Sequence, residues 1–185
     1  MPIHIIPVNK LSNEAVLIRK MILCLLFFLA GCTGIPDNVE PVRGFDVNRY
    51  LGTWYEIARL DHSFERGLER VSAEYSLRDD GGIKVINRGF NPKSNLWKEA
   101  VGKAYFVSDA NIGMLKVSFF GPFYGGYNII ELDPDYSYSL VCGPSKNYLW
   151  ILARKPEMEE SIISELIKKS NALGFDTDKL IFVKQ

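Results

Sequence analysis

The chain has 185 residues, with 22 lysines and arginines against 22 aspartates and glutamates and 47% hydrophobic residues. A neutral chain lacks the basic excess that contacts with nucleic-acid phosphates require, which excludes a nucleic-acid partner. The apolar fraction is that of a globular domain and too high for a disordered chain, and the single membrane-like segment excludes a polytopic membrane protein.

That segment lies at the N-terminus and has the pattern of a secretory signal. Arg19 and Lys20 precede the apolar run 21–29, which is too short to span a bilayer. Met1 and Met21 are alternative starts, and we favour Met1 because only an upstream start retains the two basic residues.

Positions 29–32 read Leu-Ala-Gly-Cys and resemble the lipobox of bacterial lipoproteins. The resemblance implies that residues 1–31 are removed and that Cys32 becomes the lipidated first residue, anchoring the protein to a membrane. Thr33 after the cysteine implies sorting to the outer membrane. The alternative is a plain signal peptide with an incidental cysteine.

Residues 32–44 form the predicted lipidated N-terminus and a flexible tether, because two prolines lie there among polar residues. The domain itself is predicted over 45–185. With Cys24 in the leader and Cys32 lipidated, Cys142 is alone, which excludes a disulfide framework and a cysteine metal site. We interpret Cys142 as a buried small hydrophobe.

From residue 45 onward, short segments rich in aromatic and β-branched residues alternate with turn signals, of which 79–82 (Asp-Asp-Gly-Gly) is the strongest. No helical pattern separates these segments, so the prediction is an all-β, eight-stranded, antiparallel up-and-down barrel that holds one small ligand. The strands are predicted at 53–60, 71–78, 83–89, 97–107, 114–119, 127–132, 136–142 and 147–153.

One C-terminal α-helix is predicted to pack outside the barrel. Pro156 suits its first turn, acidic residues follow, and Gly174 is a suitable stop. Its apolar residues recur at helical spacing and form one stripe: Met158, Ile162, Ile163, Leu166, Ile167 and Leu173.

Four segments together resemble the lipocalin family, in its bacterial outer-membrane and apolipoprotein D-like branch. Segment 45–59 contains Gly-Thr-Trp-Tyr, similar to the signature of the first strand; Asp-Pro-Asp-Tyr at 133–136 and Arg154 are similar to the second and third regions. Segment 119–127 is typical of the bacterial members. Pro134 departs from the usual pattern of the second region, but a proline suits a turn.

The lipocalin resemblance implies that Trp54 closes one end of the barrel with the Arg154 guanidinium stacked on its ring. Both are therefore expected to be structural rather than binding residues. Period-two alternation then places Glu56 and Ala58 on the same inward face and Arg59 outside. An inward glutamate requires a basic or hydroxyl partner, or a polar group of a ligand.

The resemblance also implies that the ligand is a lipid, such as a fatty acid, a lysophospholipid or another amphiphile. It implies an outer-membrane lipoprotein that stores or transports this lipid in its cavity, with membrane maintenance as a candidate task. A structural envelope lipoprotein without a ligand is the alternative, and an enzyme using Cys142 or His62 is a third. We expect no enzyme activity, no metal and no cofactor, because His62 is the one histidine after the leader.

Three aromatic residues are expected at the rim of the barrel and also suit a homodimer contact: Phe64, Phe123 and Tyr124. The candidate cavity residues are Phe90, Tyr105, Val117, Phe119, Tyr127 and Leu140.

Overall fold

The computed structural model describes residues 33–185, so the predicted leader and Cys32 lie outside the described residues. Two α-helices, nine strands and a short 3-10 helix follow one another in this part of the chain. They are α1 (Val47–Tyr50), β1 (Gly52–Arg59), β2 (Glu69–Leu77), β3 (Ile83–Asn91), β4 (Leu96–Phe106), β5 (Met114–Phe120), β6 (Phe123–Leu132), β7 (Tyr138–Cys142), β8 (Leu149–Ala153), α2 (Glu160–Ala172), the 3-10 helix (Thr177–Lys179) and β9 (Ile181–Phe182).

Strands β1 to β8 close into an antiparallel barrel, as the sequence predicts. Each pairs with its neighbours in sequence, and β1 pairs with both β2 and β8, which completes the ring. The turns therefore alternate between two ends. The closed end carries α1 and the turn between β6 and β7, and the open end carries the loops 60–68, 92–95, 121–122 and 143–148.

Two predicted turns join strands at the closed end. The turn at 79–82 connects β2 to β3, with Gly81 at a φ of 78° that an L side chain rarely adopts. In the turn between β6 and β7, the Asp133 carboxylate accepts hydrogen bonds from backbone N–H groups two and four residues later. Pro134 is therefore accommodated, as expected of a turn residue.

Helix α2 packs on the outside of the barrel against β1, β7 and β8. It begins at Glu160 instead of near Pro156, because Glu159 still has an extended backbone with a ψ of 136°. Strand β9, which follows the helix and pairs with β1, is not predicted because two residues carry no recognisable pattern. Among residues 33–185, no helix is long and apolar enough to cross a membrane.

The strands beneath α2 are buried on both faces, so the protein has two apolar clusters. One cluster lies inside the barrel, around its cavity, and includes Trp54, Leu115 and Val141. The other lies between the barrel wall and the helix and includes Leu140 and Leu166.

A β-bulge in β1 reverses the facing of its last residues. Glu56 pairs with Leu152 and Ala58 pairs with Ile151, so one extra residue of β1 lies between them. Because side chains alternate with period two, the extra residue moves the next ones to the opposite face. Ala58 packs in the cluster beneath the helix, and Arg59 is buried at the inner face; the predicted placement of both is wrong.

The segment expected to form a flexible tether packs along the outside of β6. The Asn128 side chain donates a hydrogen bond to the Gly34 carbonyl (3.1 Å), and the Val42 N–H donates to the Ile129 carbonyl (2.8 Å). Val39 is buried in the cluster under the helix. The expectation of a freely moving segment is corrected here, because its contacts are long-range ones that local composition does not reveal.

Candidate functional site

The barrel encloses a cavity of about 640 Å³ with its mouth at the open end. That volume lies within the range of about 300–1,000 Å³ for small-molecule sites. Apolar side chains from β2, β3, β5 and β8 form much of the wall, among them Val71, Ile83, Val85, Leu115 and Leu152. The cavity therefore suits a ligand with an apolar body.

Three of the six candidate cavity residues line this cavity. Val117 and Phe119 belong to β5, and Tyr127 belongs to β6. Their contact with a ligand remains a prediction.

Phe90 and Tyr105 do not line the cavity, so their predicted placement is corrected. The Phe90 ring packs against Trp97, with 5.6 Å between ring centroids, and the Arg70 guanidinium carbon lies 4.1 Å from its centroid. The Tyr105 hydroxyl donates to the Asp80 carboxylate (2.9 Å). Both rings find partners on the outer surface, and their neighbours Gly89 and Ala104 line the cavity instead.

Leu140 also lies outside the cavity, in the cluster beneath α2. Its neighbour Val141 faces the barrel interior. Both faces of β7 are apolar because the helix covers the outer one, so hydrophobicity alone cannot distinguish the inner residue. The predicted placement of Leu140 is wrong for this reason.

Three tyrosines form a hydroxyl cluster deep in the cavity. The Tyr127 hydroxyl lies 2.8 Å from the Tyr50 hydroxyl and 2.9 Å from that of Tyr75. Burial raises the pKa of Tyr50 to about 12 and raises the pKa values of the other two well above the usual range. The cluster is thus uncharged at physiological pH and forms the polar floor of an otherwise apolar cavity.

Trp54 and Arg154 close the barrel below that floor. The Arg154 guanidinium carbon lies 4.0 Å from the centroid of the fully buried Trp54 ring, as the resemblance implies. The guanidinium also donates hydrogen bonds to the backbone carbonyls of Arg49 (2.6 Å), Thr53 (3.0 Å) and Tyr136 (3.3 Å). These contacts tie α1 and the turn before β7 to the barrel end.

A buried charged cluster lies at the wall near the mouth. Arg59 donates from Nη1 to Glu56 Oε1 (2.6 Å) and from Nη2 to the Glu65 carbonyl (2.8 Å). The Glu65 carboxylate accepts a hydrogen bond from Trp150 Nε1 (3.2 Å) and lies 3.0 Å from His62 Nε2. Glu56 therefore has the basic partner that we expected of an inward glutamate. The same contacts hold the loop after β1 across the mouth.

The two carboxyls of this cluster have opposite pKa shifts. Burial raises the pKa of Glu56 well above its usual range, and the nearby Glu65 charge adds to this effect against the opposing Arg59. Burial acts in the same direction on Glu65, but its contacts with His62 and Trp150 outweigh burial and lower the pKa. A proton is therefore held at Glu56 more readily than at Glu65, and the cluster presents a nearly charge-compensated surface to the cavity.

Sequence reasoning missed most of this cluster. His62 is only 6% exposed and lines the cavity. Alternation along β1 predicts Arg59 on the outside, because a bulge has no signature in the sequence. Glu65 and Trp150 become candidates only when the loop is seen to fold back on β8.

Cys142 lies fully buried in the cluster beneath the helix. Burial raises its thiol pKa to about 12, so the nucleophilic thiolate is scarce at neutral pH. The interpretation of Cys142 as a buried hydrophobe is confirmed. In the described range 33–185, no three His, Cys, Asp or Glu side chains cluster as a metal site would require.

Comparison with known sequences gives matches over most of the chain. The family model for a lipocalin-like domain matches residues 45–185. The chain is 56% identical over 166 residues to outer membrane lipoprotein Blc of Vibrio cholerae, covering 89% of this chain and 96% of that protein. It is 53% identical over 161 residues to the Escherichia coli K12 protein of the same name, covering 86% of this chain and 91% of that protein. Identity to apolipoprotein D of Rattus norvegicus is 34% over 148 residues, covering 76% and 75%.

Comparison with solved structures supports the same fold. Insecticyanin of the tobacco hornworm Manduca sexta superposes with a TM-score of 0.66 at 21% identity, covering 82% of this chain and 87% of that one. Lobster apocrustacyanin A1 gives a TM-score of 0.60 at 17% identity, covering 82% and 93%. At these identities the likeness concerns the fold alone.

Proposed function

The chain belongs to the lipocalin family, and from that membership and the cavity we propose that it is a lipid-anchored outer-membrane lipoprotein that binds fatty acids or lysophospholipids in its barrel. Its task is storage or transport of these lipids in maintenance of the envelope, without catalysis. The observation that carries the proposal is the cavity of about 640 Å³ with apolar walls and a mouth at one end. The name of its bacterial relatives, outer membrane lipoprotein, supports the location.

The shape of the cavity favours a ligand with one apolar tail. A tail that enters at the open end meets Phe119 and Val117 and ends at the tyrosine cluster above Trp54. Each methylene buried on the way contributes about 0.8 kcal/mol. Affinity should therefore increase with tail length until the tail reaches the floor, and decrease for longer tails.

The polar headgroup is expected near the mouth, beside the Glu56 and Glu65 cluster. Since that cluster is nearly charge-compensated, a fatty acid and a zwitterionic lysolipid with the same tail should differ in affinity by no more than about tenfold, or 1.4 kcal/mol.

Calorimetric titration of delipidated protein with a series of tail lengths tests the ligand. The variant Val117→Trp, which adds bulk to the cavity wall, should shift the optimum to shorter tails. Val101→Trp is the matched control because Val101 is 53% exposed on β4 and does not line the cavity. Affinity that does not depend on tail length, or an equal effect of both variants, would refute binding in the cavity and favour a structural envelope lipoprotein.

Metabolic labelling with a palmitate analogue tests the anchor separately. Cys32→Ser should abolish labelling and the recovery of the protein in the outer-membrane fraction. Cys142→Ser is the matched control, since that buried thiol lies in the folded domain. Undiminished labelling of the Cys32→Ser variant would end the lipoprotein assignment.

A further inference from the structure

Large apolar side chains surround the open end of the barrel. Phe64 lies in the loop after β1, Leu96 and Trp97 follow the turn between β3 and β4, and Phe120 and Phe123 flank the turn between β5 and β6. Their exposed fractions range from 58% for Trp97 to 75% for Phe120. A single exposed apolar residue is ordinary, but five around one opening form an apolar rim, and such a patch indicates an interaction surface.

The N-terminal segment begins at this same end. The Gly34 carbonyl packs so closely on Gly126 that a Cβ at Gly126 would lie 2.5 Å from its oxygen, and the Asn128 side chain holds that carbonyl with a hydrogen bond. Gly126 lines the cavity close to the mouth. Thr33, the first described residue, lies against Gly126 together with Gly34, and Cys32 is the next residue toward the N-terminus in the sequence.

From Gly34 the segment runs to the closed end and is held along its path. The Val42 N–H donates to the Ile129 carbonyl, and the Phe45 N–H donates to the Asn111 carbonyl (both 2.8 Å). The length of β6 from Gly126 to Leu132 corresponds to about 20 Å. The described chain therefore begins beside the mouth, and a lipid on Cys32 would be attached one residue before it.

We propose that the open end of the barrel rests on the bilayer that holds the anchor, with the apolar rim inserted among the lipid headgroups. Aromatic side chains favour that interfacial region, and a second membrane contact beside a lipid chain strengthens attachment. The proposal rests on the lipoprotein part of the proposed function. In this orientation, a lipid passes between bilayer and cavity without crossing bulk water.

The position of Trp97 on the rim allows a direct test with the lipidated protein. Vesicles of phosphatidylethanolamine and phosphatidylglycerol are prepared with and without bromine on the acyl chains, and the protein is incorporated through its anchor. Because bromine quenches tryptophan at short range, Trp97 emission should be lost in brominated vesicles. Trp54 and Trp150 are the other tryptophans, so the difference from Trp97→Phe isolates the Trp97 signal from any quenching by lipid within the cavity.

The control moves the probe to the opposite end. Leu77 is 55% exposed at the closed end of β2, so the double variant Trp97→Phe with Leu77→Trp should show no added quenching. The orientation is wrong if the protein floats with the vesicles but Trp97 is not quenched, or if the Leu77→Trp probe is quenched instead. If Trp97 is protected from an aqueous quencher but is not quenched by brominated lipid, the orientation is wrong and the rim instead contacts a second copy of the protein. Protein that does not float with vesicles refutes the anchor and this proposal with it.

Discussion

Replacing Trp54 by alanine should lower the free energy of unfolding by about 3–5 kcal/mol, as large-to-small substitutions of buried aromatic residues do. Among the described residues, Trp54 has the largest of the fully buried side chains. Its indole Nε1 donates to the Tyr50 carbonyl (2.8 Å), and its ring contacts both the Tyr50 ring and the Arg154 guanidinium. The substitution therefore leaves a cavity, an unpaired carbonyl and a guanidinium without its aromatic partner, which favours the upper part of that range.

Urea unfolding followed by circular dichroism measures this loss without relying on tryptophan emission. A domain of this size has a urea slope of about 2 kcal/mol/M, so the midpoint should decrease by about 2 M. Trp97→Ala is the matched control because the same side chain is removed from an exposed rim position, where we expect less than about 1 kcal/mol. Equal midpoints for the two variants would refute the assignment of Trp54 to the closed end of the barrel.

Three further predictions concern buried groups. The pKa of Tyr50 is raised to about 12 in the folded protein and lies near 10 in the unfolded chain, so the stability linked to its protonated form is fully present below pH 10 and is lost as pH rises toward 12, about 3 kcal/mol of unfolding free energy in all. Alkaline titration followed by ultraviolet absorbance should show Tyr50 ionising only with unfolding, and free titration near pH 10 would contradict its burial. Arg59→Ala should cost about 1–3 kcal/mol, because it leaves the buried Glu56 Oε1 and the Glu65 carbonyl without their donor. The double variant with Glu56→Leu, which removes one of these acceptors, should recover part of the loss in urea unfolding, and no recovery would contradict the pairing. The Cys142 thiol should resist a disulfide exchange reagent in the native state and react after denaturation, whereas rapid native reaction would contradict its raised pKa.

The order of the strands and the closing pair of residues could be predicted because their signals are local. Alternating side chains, aromatic composition and glycine turns act over a few residues, and the observed strands overlap the eight predicted ones. Trp54 and Arg154 are recognisable from the resemblance, and they lie in contact.

The lining of the cavity could be predicted only in part, because an aromatic or aliphatic side chain can also find apolar partners on the outer face of the barrel. Phe90 packs against Trp97 and Arg70 on the outer surface, and Leu140 packs under α2. Alternation along a single strand does not show which face meets these partners.

The sequence by itself determined the class of the fold, the number and order of the barrel strands and the pair that closes one end. Only the tertiary structure decided that Arg59 lies inside, that the N-terminal segment is held along β6, and that this segment starts beside the mouth of the cavity. The physical reason is that facing depends on register and on long-range hydrogen bonds. One extra residue in β1 is enough to exchange the inner and outer faces of the residues after it.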